Sequence, residues 1–235
     1  MEIPVLQTIS YWGIRDPVSM LTHSVGALVA IAAAIVLVRR VRQTGRRGRA
    51  VAVYGACVVV ALTASAVFHL IEASSARFTL FNKIDHAAIF LVVAGTGTAV
   101  YEAIGTRWTE VLIGATWAVN LAAAVTKLLV WPMTPWMTAL IYVGVGWISS
   151  AGLGVVLLRS SWQQLVLFIA GAVVLTLGAV VFVTEWPVLW PGVVEGHEVF
   201  HLLVVIGLGL HGAFIYQYCS DREHPEADRL ERSAR

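Results

Sequence analysis

Apolar runs of about 20 residues alternate with short polar connections along almost the whole chain. At 1.5 Å of rise per residue, a helix of that length matches the roughly 30 Å hydrocarbon core of a bilayer. Seven such runs are legible, near 18–38, 50–71, 84–103, 109–130, 137–158, 162–183 and 197–218. The pattern predicts an all-α integral membrane protein, a seven-transmembrane helix bundle in a single domain over 1–235, with a polar tail over 219–235. Trp12, Trp108, Trp131, Trp136, Trp162, Trp186 and Trp190 fall at or near the run ends, where aromatic belts form. Gly144 with Gly146, and Gly152 with Gly154, predict close helix packing within the fifth run.

Composition agrees: 58% of the residues are apolar and 13% charged, about half the charge of a soluble domain. A net charge of +2 gives no reason to expect nucleic acid as a partner. Cys57 and Cys219 supply neither a disulfide framework nor a thiolate metal site. A cleavable signal peptide is not expected, because the first run lacks a basic leader and is followed by arginines.

The distribution of charge says more than its sum. An odd number of spans puts the termini on opposite sides. The N-terminal side then carries Arg15, Arg77, Lys83 and Lys127. The other side carries Arg39, Arg40, Arg42, Arg46, Arg47, Arg49, Arg107, Arg159, Arg222, Arg229, Arg232 and Arg235. The positive-inside rule therefore predicts a cytoplasmic C-terminus and an outside N-terminus, in the plasma membrane.

Alternating helix direction brings another set of residues to one side. His23 opens the first run, Ser65 and His69 close the second, Asp85 and His86 open the third, and His197 and His201 open the seventh. Ionisable groups inside a membrane are costly, so they mark function by default. Ser65 and His69 are four residues apart and share a helix face, as do His197 and His201. His69, His197 and His201 can supply three nitrogens to one ion and leave a fourth position for water, the pattern of a catalytic zinc. Asp85 is then available to orient a ligand histidine or to accept a proton, and Ser65 to hydrogen-bond water or Asp85.

Plainer readings exist for each residue. A lone membrane histidine usually hydrogen-bonds a neighbouring helix, which is the expectation for His23, His86 and His211. Asp85 can instead cap the third helix or pair with Lys83 or Arg77. His197-Glu198-Val199-Phe200-His201 also fits H-E-x-x-H, the zinc protease motif in which Glu is the general base. That motif is short, and no N-x-x-P-x-x-D-G-like segment accompanies it. A transport path is the least favoured reading, since below His201 the runs read as nearly all apolar apart from His211, Thr126 and Thr176.

Several segments together resemble the haemolysin III family, the bacterial branch of the progestin and adiponectin receptor superfamily. They are Asp16-Pro17-Val18-Ser19 with Thr22-His23 and Gly26, Ser65-x-x-x-His69, Asp85-His86-Ala87-Ala88-Ile89-Phe90 with Gly95-Thr96, and His197-Glu198-x-Phe200-His201 with His211. The resemblance covers about residues 16–217. It implies seven helices, zinc on His69, His197 and His201, and Asp85 and Ser65 close to the metal. The superfamily is similar to alkaline ceramidases, which implies cleavage of a lipid amide such as a ceramide. Two features depart from the relatives: Gly97-Thr98-Ala99 stands where many have Tyr-Thr-Pro, and the adiponectin receptors have a cytoplasmic N-terminus. The resulting expectation is a zinc-dependent lipid amide hydrolase with catalytic Asp85 and Ser65 and a ceramide-like lipid or fatty acid as ligand. The alternative is a non-enzymatic lipid sensor, receptor or cytolytic protein in which zinc is structural.

Overall fold

A computed structural model describes residues 13–41, 45–74, 76–150 and 162–220, with the backbone alone at 162–164, 219 and 220. Expectations that fall on Trp12, Arg42, the far end of the fifth run with Gly152 and Gly154, Arg159, the Trp162 and Cys219 side chains and the tail beyond 220 lie outside the described residues. Within them are seven helices and no strand: α1 (Pro17–Val41), α2 (Arg46–Leu70), α3 (Phe78–Ile104), α4 (Thr109–Leu129), α5 (Pro135–Ser150), α6 (Trp162–Thr184) and α7 (Gly196–Ser220). Six are long and apolar enough to cross a membrane. The described part of α5 has 16 residues and falls short of a full span by length alone.

Lipid contact explains which way the side chains face. Large apolar residues point outward, with Leu28 68%, Leu129 78% and Leu140 68% exposed, while His69, Asn120 and Lys127 are each 1% exposed. A water-soluble protein has the reverse arrangement. Helices of this kind gain little from burying apolar surface, so close van der Waals contact and interhelical hydrogen bonds hold them together. Gly55 lets α2 approach α1: a Cβ there would stand 2.7 Å from that of Ala34. Gly144 and Gly146, expected at a tight interface, have nothing within 4 Å of an added Cβ. They face open space, and the buried positions of α5 are Thr138, Ala139 and Ser149.

Neighbouring helices pack in chain order from α1 to α4, α6 packs on α7, and α7 closes against α1 and also touches α2 and α3. That closure brings α7 onto the chain-start end of α1 and the chain-final end of α2. A hydrogen-bonded clasp fixes the α1–α2 corner: the Asp16 peptide N–H donates to the His69 carbonyl at 3.1 Å. Arg15 donates to the carbonyls of Ile71 at 3.0 Å and Phe68 at 3.1 Å. A helix C-terminus leaves carbonyls without an internal partner; those of His69 and Ile71 are met in this way, and Arg15 shares that of Phe68 with the Ile71 peptide N–H.

The third helix begins earlier than its apolar run. It starts at Phe78 instead of near 84, because Phe78 packs on Phe68 with ring centroids 5.3 Å apart. Asp85 therefore lies two turns inside α3 and does not cap it. The interior also holds more polar groups than expected. Apart from Ala124, the buried face of α4 is Thr109, Thr116, Asn120 and Lys127, a stripe about 27 Å long by helix rise. Asn120 donates to Ser149 Oγ of α5 at 2.9 Å, and Trp117 Nε1 donates to Thr98 Oγ1 of α3 at 2.9 Å.

Candidate metal centre

Each ligand candidate is aimed by the helix that carries it. His69 is in the last turn of α2, and His197 and His201 lie one turn apart on one face of α7. The loop into α7 reverses direction tightly at Glu185, φ 53°. Gly196 sits against that turn, where a Cβ would stand 2.4 Å from the Glu185 carbonyl carbon. Only glycine fits there, which sets the start of α7 directly before His197.

The three ring nitrogens meet as the i and i+4 spacing predicts. One ligand atom from each of His69, His197 and His201 lies within 4.8 Å of the others. His197 Nε2 and His201 Nε2 face each other at 2.9 Å. His69 Nε2 is buried with no hydrogen-bond partner. A buried polar atom without a partner needs an explanation, and an ion among the three rings supplies one. Nitrogens around a tetrahedral ion at bonds of about 2.0–2.1 Å stand roughly 3.3 Å apart, so the present spacing closes on an ion with side-chain adjustments alone. His69 and His201 are buried, and His197 is half-buried.

The far side of two rings is already engaged. His69 Nδ1 donates to Asp16 Oδ2 at 2.8 Å, and His201 Nδ1 lies 2.8 Å from His23 Nε2. With the protons on the two Nδ1 atoms, both Nε2 atoms present lone pairs to the cluster. Partners of this kind fix ring orientation and tautomer around bound metals. Arg15 pairs with Asp16 and stands over the Phe68 ring at 4.4 Å. Burial lowers the Arg15 pKa from its ordinary value, and Asp16 and Asp85 pull it back up, so the guanidinium lies near both carboxylates.

Asp85 and Ser65 meet beside this cluster. The Ser65 hydroxyl is buried, and the half-buried Asp85 carboxylate is next to it on α3. The carboxylate that orients His69 is Asp16, whereas Asp85 is left for another task. Asp16 carries the signal that would have identified it: it precedes Pro17 at the same end of the bundle as the five histidines, so topology sets it at their depth.

His23 and His86 do what neighbouring histidines are expected to do. His23 bonds His201 from α1, and His86 Nδ1 lies 2.6 Å from the Tyr142 hydroxyl of α5. His211 bonds the Phe168 carbonyl at 3.2 Å, far down α7, and takes no part in the cluster. Glu198 is not placed as a general base. Its Oε2 accepts from the Glu195 peptide N–H at 3.0 Å and its Oε1 from Ser19 Oγ at 3.1 Å. It reaches back to cap α7, as a glutamate at the third helical position does, and holds α1 at the same time. The H-E-x-x-H spacing therefore reflects two histidines of the cluster with a cap between them.

Known proteins resemble the chain along most of its length. A family profile described as haemolysin-III related matches residues 11–212. The chain is also similar to Hemolysin-3 of Bacillus cereus, 27% identical over 193 residues, which is 80% of this chain and 84% of that protein.

Proposed function

The chain belongs to the haemolysin-III-related family, and on that premise we propose that it is a zinc-dependent hydrolase of a lipid amide, ceramide-like in its chemistry. It works in the plasma membrane through seven spans. The observation that carries the reading is the convergence of His69, His197 and His201, with an unpartnered Nε2, beside the Asp85 and Ser65 pair.

An all-nitrogen set of three with room for a fourth ligand suits zinc. Zinc there supplies positive charge that polarises a carbonyl and makes water acidic near neutral pH. The protein's own groups do the rest. Asp85 takes a proton from the attacking water at its carboxylate and returns it to the leaving amine. Ser65 Oγ donates to the oxygen on which negative charge develops. Asp16 and His23 hold the rings of His69 and His201 so that neither turns away. The acyl chain enters sideways between helices, since the outer surface is apolar.

The proposed orientation keeps the N-terminus outside. Two of the four cations on that side, Arg15 and Lys127, are drawn into the fold, which widens the loop-charge asymmetry in favour of a cytoplasmic C-terminus. A cysteine placed after Arg235 should then react with an impermeant maleimide only after the cells are opened. Labelling of intact cells would reverse the topology.

The function is tested by metal analysis and turnover together. Purified protein should hold one zinc per chain and release fatty acid from ceramide, and Asp85→Asn should keep the zinc and lose roughly 10²–10⁴-fold in turnover. Stoichiometric zinc with no hydrolysis of any lipid amide, and an Asp85→Asn variant that changes nothing, would sink the enzyme reading. That result would favour a lipid sensor in which the metal braces α2 against α7.

A further inference from the structure

Lys127 is an ammonium buried where its surroundings do not neutralise it. It lies in the last turns of α4, is 1% exposed, and donates from Nζ to Thr138 Oγ1 of α5. Nζ also stands 5.1 Å from the centre of the Trp131 ring. Among the described residues no carboxylate pairs with it and no second acceptor reaches it. An ammonium has three donors, and a buried charge is costly unless it is paired and hydrogen-bonded. The negative end of the α4 dipole and the face of Trp131 offset part of that cost. Two protons and most of the charge are left over.

The surroundings indicate what kind of group would complete the site. Trp131 packs edge-on against His86 with centroids 5.5 Å apart. Phe182 in turn bridges His86, at 6.5 Å, and His197, at 6.4 Å. A continuous aromatic wall thus runs from the histidine cluster to the ammonium. On the other side α4 ends in Leu128 and Leu129, followed by Val130, all exposed and apolar. Lys127 therefore sits at the end of a span, at headgroup depth, with a surface suited to acyl chain beside it.

We propose that Lys127 is an anion-binding residue that holds the carboxylate or phosphate of a membrane amphiphile. The oxyanion accepts from Nζ and displaces or shares its bond to Thr138, while the chain lies along Leu128 and Leu129. The site goes beyond the hydrolase reading, because it needs neither the metal nor turnover.

The test uses the full-length protein in a neutral detergent after chelation, so that a carboxylate on the metal is not mistaken for one on Lys127. Oleate, oleoyl lysophosphatidate, oleyl alcohol, acetate and inorganic phosphate are titrated, with calorimetry and thermal shift as readouts. Wild-type protein should bind the two acids at least tenfold more tightly than oleyl alcohol. K127Q should lose at least tenfold for the acids and nothing for the alcohol, while K127R keeps most of the affinity. Equal binding of oleyl alcohol by the wild type overturns the proposal without any variant, so a poorly folded K127Q does not shelter it. Unchanged acid affinity in a folded K127Q also overturns it. Acetate or phosphate binding as tightly as the long-chain acids overturns the amphiphile and leaves a site for free anions.

Discussion

Two polar regions share the interior of this bundle, and they are built on different principles. The histidine cluster joins α1, α2 and α7, and its side chains converge: three rings share one point, Asp16 and Arg15 hold His69 from behind, and His23 holds His201. The seam along α3, α4 and α5 is linear. Its bonds run pairwise between neighbouring helices: Trp117 to Thr98 and Asn120 to Ser149. Convergence leaves His69 Nε2 unpartnered at the common point, as a site for an ion would. Pairing distributes polar groups as glue between helices that have no hydrophobic reason to associate. Buried polarity alone is thus a poor guide to function in a membrane protein, and geometry separates the two kinds.

Removing a ligand tests that contrast most severely. His201→Ala should reduce bound metal to less than a tenth of the wild-type content by elemental analysis, because two ligands in place of three do not hold the ion. Metal retained at full occupancy would show that the convergence is not a binding site. A smaller loss is expected one step out, where Asp16→Asn keeps the shape and weakens the hold on His69 Nδ1. Metal affinity should fall about 10–100-fold, the usual cost of losing such a partner, measured by competition with a chelator. An unchanged affinity would reduce Asp16 to a clasp between α1 and α2. The seam should respond least. Asn120→Ala breaks one interhelical bond, and its cost should be about 0.6–1.7 kcal/mol in unfolding from bicelles, with metal content untouched. Loss of metal in Asn120→Ala would mean that the two regions are coupled and the contrast is false.

Much of the site was legible before any coordinates. Helix periodicity put His197 and His201 on one face, and alternation of spans put His69 at their depth; neither step needs a packing angle. Other parts were not legible for physical reasons. Asp16 and Asp85 are both carboxylates at the same end, and which one reaches a histidine depends on the turn joining Arg15 to α1. Glu198 satisfies the protease spacing, yet its direction is fixed by the peptide N–H of Glu195 and by Ser19 on another helix. The α4 stripe was hidden because Thr109, Thr116, Asn120 and Lys127 are diluted among apolar neighbours, and a hydropathy window averages them away.

The chain by itself determined length, hydrophobicity and order, and these settle which segments enter a bilayer and which of their ends lie together. Both follow from one-dimensional quantities, helix rise and the alternation of direction. Only the tertiary structure decided which polar groups meet. Rotation of each helix about its axis is set by close contacts such as Gly55 on Ala34 and by the closure of α7 on α1. A rotation of one residue, about 100° in a helix, would have turned His69 to the lipid.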